Sequence, residues 1–217
     1  MRKLIYTFII SIFTISYLSA QIDSTQFIFG KFQNGEIFYK DGRVYHALVD
    51  YNLVVNCFLF VDNNDNNEIK RFGEVSQIAC VKVGGRSFIQ QSDGSAYEVL
   101  KPEPFIAVKY KGVFRAEGKQ VGYGGRSETA SVDSYSSLST SGNLVNLSTE
   151  KYLLVSINKQ YLIEVNKKRK TFNNEKQLLK IFPKHKEELA KYIEENNVKF
   201  NDIEEVLKML DYAYSLK

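Results

Sequence analysis

The sequence predicts a mainly β protein of the α+β class, an antiparallel meander (a sandwich or a partly open barrel) followed by two or three C-terminal helices. Three observations predict it. Residues 35–62 (GEIFYKDGRVYHALVDYNLVVNCFLFVD) form a dense run of β-forming aromatic and branched residues, punctuated by Asp41-Gly42. Short apolar segments between Gly- and Asp-containing turns continue to about residue 165. From residue 173 the apolar spacing takes the helical period.

The chain has 217 residues, 44% hydrophobic and 25% charged, so a real core of one or two small domains is within reach. Arg2 and Lys3 precede an apolar run from Leu4 to Leu18, and Ser19-Ala20 places a small residue before Gln21. That is the plan of a secretory signal peptide. The expected division is a signal at 1–20, a β domain over 21–171 and a helical segment over 172–217 packed on it. The expected location is periplasmic or secreted, with no transmembrane segment after cleavage. The formal charge of +4 includes Arg2 and Lys3 and falls to +2 without residues 1–20, which gives no case for nucleic-acid binding.

Gln26 to Gln33 reads as a first strand, Asn34-Gly35 as a tight turn and Glu36 to Lys40 as the next strand. Asp41-Gly42 then turns the chain into Arg43 to Tyr51. Val54 to Asp62 is apolar on both faces, which predicts a central strand covered on both sides. The C-terminal helices are the best candidates for the second cover. Asp62 to Asn67 (DNNDNN) must be a surface turn. Strands are expected at 68–72, 77–83, 87–91, 96–100 and 104–111, with turns at Gly84-Gly85, Asp93-Gly94 and Lys111-Gly112.

Residues 124–149 hold eight Ser, three Thr and three Gly, which reads as a long surface loop. Strands return at 152–157 and 160–165, around an Asn158-Lys159 turn. Asn173 or Asn174 is placed to cap a short helix through Ile181. Pro183 suits the first turn of the next helix. Asn201, with Glu204 three positions on, resembles a capping box. Behind it Ile203, Val206, Leu207, Leu210, Ala213 and Tyr214 form a helical stripe.

Candidate chemistry is sparse. Cys57 and Cys80 are the only cysteines. An oxidising compartment makes a disulfide possible, and direct pairing of 54–61 with 76–83 would set the two face to face. A strand at 68–72 between them would leave two separate buried thiols. Asp62, Asn64, Asn66 and Glu68 have the alternation of a weak cation loop, but Asn67 stands where the turn Gly belongs and Gly73 where the closing Glu belongs. His46 and His185 are the only histidines, and neither has a partner at metal-ligand spacing. The tetrapeptide GGRS occurs at Gly84 to Ser87 and again at Gly124 to Ser127. Paired glycines could offer N–H groups to an anion, with Arg86 or Arg126 as the charge. Lys167, Lys168, Arg169 and Lys170 form the strongest charge run, a solvated connector or a contact for an anionic partner. No cofactor fingerprint, P-loop or nucleophile elbow is present, so no cofactor and no catalytic residue is assigned.

The signal ending in Ser-Ala before Gln21, the segment YKDGRVYHALVDYN and the ending FPKHKEELAKYIEENNVKFNDIEEVLKMLDYAYSL together resemble uncharacterised secreted proteins of Bacteroidota bacteria. The resemblance implies a bacterial periplasmic or surface address and no activity. Asp23-Ser24-Thr25 resembles the short O-glycosylation acceptor of those bacteria. The expected function is an exported, non-enzymatic binding or protein-interaction module of the cell envelope, with an envelope protein or glycan as partner. The alternatives are a hydrolase of a cell-envelope polymer and a purely structural envelope component.

Overall fold

The structure, a computed structural model, describes residues 24–116, 120–121, 125–126 and 152–216. The expected signal peptide and nearly all of the Ser/Thr-rich stretch 124–149 lie outside the described residues.

The main feature is an antiparallel sheet of ten strands. Its strands in chain order are β1 (Gln33–Tyr39), β2 (Val44–Asn52), β3 (Cys57–Asp62), β4 (Glu68–Arg71), β5 (Ile78–Val83), β6 (Arg86–Gln90), β7 (Ala96–Lys101) and β8 (Ile106–Ala116). A small ladder of β9 (Gln120–Val121) and β10 (Gly125–Arg126) follows, and then β11 (Tyr152–Val165) and β12 (Lys168–Phe172) complete the sheet. Three helices end the chain: α1 (Glu175–Ile181), α2 (Lys186–Glu195) and α3 (Ile203–Ser215). Among the described residues, no helix is long and apolar enough to cross a membrane.

The spatial order is β12-β11-β8-β7-β6-β5-β1-β2-β3-β4. The expected mainly β, antiparallel architecture with C-terminal helices is therefore present. It is two meanders joined at β1. The first runs β1 to β4 and stops at an edge. The chain then returns across the first meander so that β5 pairs with the other side of β1, with Ile37 opposite Val81. Both of those side chains are fully buried.

The sheet curls strongly. Phe58 on β3 and Phe88 on β6 are separated by three intervening strands, which in a flat sheet would place them roughly 19 Å apart. Their ring centroids are 5.1 Å apart, and Tyr51 stacks edge-on against Phe58 at the same distance. This inner face carries the main core, and the helices join it through Leu178, Leu189, Val206 and Leu210. Tyr161 on β11 stacks on Phe172 of β12, which meets Phe200 edge-on before α3.

Several expected turns prove to be strand. Asn34-Gly35 lies inside β1, opposite Leu48 and Ala47. Gly112 lies inside β8, opposite Ile157. Asn158 and Lys159 lie inside β11, which runs unbroken but for a bulge between Leu154 and Ser156. At the two glycines the residue serves close approach. A Cβ on Gly35 would sit 2.4 Å from Val49 Cγ2, and one on Gly112 would sit 3.1 Å from Leu53 Cβ, with the Phe114 ring closer still.

The expected turns at Asp41-Gly42, DNNDNN, Gly84-Gly85 and Asp93-Gly94 do connect strands. Residues 26–28 are not a separate strand. They continue β1 along β2 after a loop, through Ile28 N–H to the Tyr51 carbonyl and Leu53 N–H to the Gln26 carbonyl.

The two-faced strand β3 is second from the edge rather than central. Its inner-face Phe58 joins the main core. Cys57 and Leu59 point the other way and form a second, small core with Phe27, against which Phe32, Val55 and Ile69 pack. The second cover is thus the N-terminal segment, not the helices, which belong to the inner-face core. At the helix caps, the Asn174 side chain accepts from Gln177 N–H, as expected. At α3 the cap is Asp202, accepting from Glu204 and Glu205 N–H, in place of the expected Asn201. Pro183 opens a short 3-10 turn ahead of α2.

Candidate functional site

A groove of about 500 Å³ crosses the outer face of β1, β2 and β5. Strand register builds it. Glu36 on β1 stands directly opposite His46 on β2 and directly opposite Lys82 on β5. Residues so placed have Cβ atoms about 5 Å apart, so an acid lies between two bases across three strands. All three side chains are exposed, while the neighbouring Gly35 is buried and faces the inner core. A side chain at Gly35 would meet Val49 and approach the Lys82 carbonyl oxygen to 3.3 Å. The Lys82 ammonium lies 4.9 Å from the centre of the Phe38 ring, which fixes its direction along the sheet. Gly84 and Gly85, at φ of +58° and +75°, also line the groove, as does Asn63.

The GGRS proposal from sequence is therefore half relocated. Its glycines line the groove, but Arg86 projects to the inner face. There its guanidinium pairs with both Glu98 oxygens, at 2.7 and 2.5 Å, and reaches Tyr110 Oη at 3.1 Å. The rings of Phe29, Phe88 and Tyr110 surround the cation with centroids at 4.9–5.6 Å. Tyr110 Oη also bonds Glu98, and burial together with this carboxylate pushes its pKa well above the ordinary tyrosine value. Arg86 is thus a paired internal cation, and the charge beside the glycines is that of Lys82. Gly125 and Arg126 form β10 in the β9–β10 ladder, and the Arg126 side chain, Gly124 and Ser127 lie outside the described residues.

The other sequence candidates also find their places. Asp62 accepts from Asn64 N–H at 3.0 Å and from Lys70 Nζ at 2.9 Å, and Lys70 also pairs with Asp65. The hydrogen bonds to Lys70 and Asn64 hold the Asp62 carboxyl below its ordinary value. At the loop that holds the weak cation candidates Asp62, Asn64, Asn66 and Glu68, the cation paired with Asp62 and Asp65 is the chain's own Lys70 ammonium group. Asn66 instead supplies left-handed backbone to the turn, at φ +49°. Among the described residues no cluster of His, Cys, Asp and Glu is arranged to hold a metal ion.

Cys57 and Cys80 are both free thiols. Cys57 is on β3 and Cys80 on β5, with β1 and β2 between them, so the pairing a disulfide needs does not form. Burial raises both thiol pKa values. The cation run is not a connector. Lys167 sits in the β11–β12 turn, while Lys168, Arg169 and Lys170 lie exposed on the edge strand β12. His185 is half-buried in the 3-10 turn before α2.

Sequence reading missed Glu36 and Lys82 because they belong to strands forty-six residues apart, joined only by the β5–β1 pairing. It also missed Asp50. That side chain is fully buried, and its Oδ1 accepts from Tyr51 N–H at 2.7 Å and Phe29 N–H at 3.1 Å. Its Oδ2 has no hydrogen-bond partner among the described residues. Burial raises its pKa to about 6 against the lowering effect of those N–H groups and of Arg86. The one available sequence signal was polarity inside an apolar run.

Comparison with protein-family models, with curated proteins and with solved structures finds no match for this chain.

Proposed function

We propose that the protein is an exported, non-enzymatic binding module of the bacterial cell envelope, and that the outer-face groove is its binding site. The observation that carries this reading is the exposed Lys82–Glu36–His46 row along the groove. Opposite charges at fixed strand spacing suit a polar partner that presents both donors and acceptors. The row is exposed along an open surface. Binding tolerates that exposure, whereas electrostatic catalysis draws its strength from excluding water. The sequence pattern of residues 1–20 supports export.

The test is site-directed photo-cross-linking in the native cell. A cross-linking side chain replaces His46 in one strain and the exposed Glu188 of α2 in another. A discrete envelope protein or glycan adduct from position 46, absent from position 188, is expected. Equal labelling from both positions, or turnover of peptidoglycan fragments by the purified protein, overturns the reading.

A further inference from the structure

We propose that the open edge of β12 accepts an extended acidic peptide segment of a partner protein as an added strand. Three features converge there. The first is backbone geometry. Among the described residues, β12 is the last strand of the sheet and pairs with β11 alone. The β11–β12 turn consists of two residues, Asn166 and Lys167, at φ +53° and +60°. A two-residue turn of this type closes on a hydrogen-bonded pair, here Val165 and Lys168. Hydrogen-bonded and non-bonded pairs then alternate, so Lys168, Lys170 and Phe172 bond inward. Arg169 and Thr171 direct their N–H and C=O groups outward, at the repeat an incoming strand requires.

The second feature is charge. Residues 167–186 carry eight Lys and Arg against one acid, Glu175. The remainder of the chain carries 21 cations and 24 acids, so the positive charge is segregated onto β12, α1 and the turn beyond it. The third is order. Phe172 is fully buried and anchors the strand, and the Arg169 guanidinium is held 4.7 Å from the Phe105 ring centre. The edge is therefore presented in a fixed conformation, which lowers the entropy cost of pairing.

Lysines on an edge strand repel neutral and basic strands. Acidic side chains on the incoming strand convert that repulsion into cross-strand attraction, which selects the partner. A peptide fits better than an anionic membrane. Among the described residues, the large apolar side chains that stand exposed are Val44, Tyr45, Leu153 and Val155, none of them in this segment to insert into lipid. The edge is separated from the groove by β11, β8, β7 and β6, so the two proposals stand or fall independently.

The test uses protein purified from cells expressing the full chain, with an acetylated and amidated alternating Glu-Val octapeptide as probe. The expected result is saturable binding that slows hydrogen exchange at Arg169 and Thr171. Thr171→Pro removes an outward donor without touching the β11 ladder, and should abolish the protection. Lys168→Glu/Lys170→Glu, on exposed positions, should weaken binding by at least about tenfold and serves if the proline variant does not fold. Lys40→Ala, at an exposed position between β1 and β2 outside both surfaces, should leave peptide binding unchanged. Binding without protection at 169 and 171, an unaffected charge-reversal variant, or preference for phosphatidylglycerol vesicles over the peptide would overturn the proposal.

Discussion

At the scale of the residue, small changes in two buried positions have opposite signs. Gly35→Ala inserts a methyl 2.4 Å from Val49 Cγ2, and Val49 is fully buried with nowhere to move. Chemical denaturation should show a loss of about 1–3 kcal/mol. Wild-type stability would show that Asn34-Gly35 is not inside the strand. Asp50 holds its proton more tightly when folded, because its pKa rises from 3.8 to about 6 on burial. Its contribution is complete below the unfolded value and is lost as pH rises through about 6. Asp50→Asn keeps an acceptor for Phe29 and Tyr51 and removes the charge. The variant should exceed wild type by about 1–3 kcal/mol near pH 7.5, with the gap closing towards pH 4. Thermal melts of both proteins across that range measure it, and a pH-independent gap would refute the assignment. Polarity at Asp50 was visible in the sequence. Its burial was not, because nothing local shows that residues 27–32 lie over it.

At the scale of the element, the short-range signals divide cleanly. Asp41-Gly42, DNNDNN and the Asn174 cap could be read directly, since each is satisfied by neighbours a few residues away. Asn34-Gly35, Lys111-Gly112 and Asn158-Lys159 have the same turn chemistry, yet all lie in strands, because long-range strand pairing outweighs a local preference. The cover of β3 follows the same logic. Period-two alternation revealed two apolar faces, but which segment covers the outer one depended on where the chain returned. Phe27 packs on Cys57 and Leu59 and stacks near Phe32, at 5.3 Å between ring centres. Phe27→Ala should therefore destabilise the fold by about 3–5 kcal/mol in a denaturant titration. A loss below about 1 kcal/mol would return the cover of β3 to some other element.

At the scale of the whole molecule, the crossing from β4 back to β1 decides the most. It parts the two cysteines by two strands, so intact mass should be identical with and without reductant when the protein is taken from an oxidising compartment. A loss of two hydrogens would place Cys57 beside Cys80 and break the strand order. The same crossing sets Lys82 beside Glu36 and so makes the groove, while β12 stands as a cationic edge of the sheet among the described residues. By itself the sequence determined the class: strands first, helices last, the well-marked turns, and the residues able to form a core. Those follow from side-chain periodicity and local backbone preference, which act over a few residues. Only the tertiary structure decided strand order, the curl that joins Phe58 to Phe88, the cover of β3 and the membership of the groove. These depend on pairings between segments far apart in the chain, chosen by how much apolar surface the whole sheet buries at once.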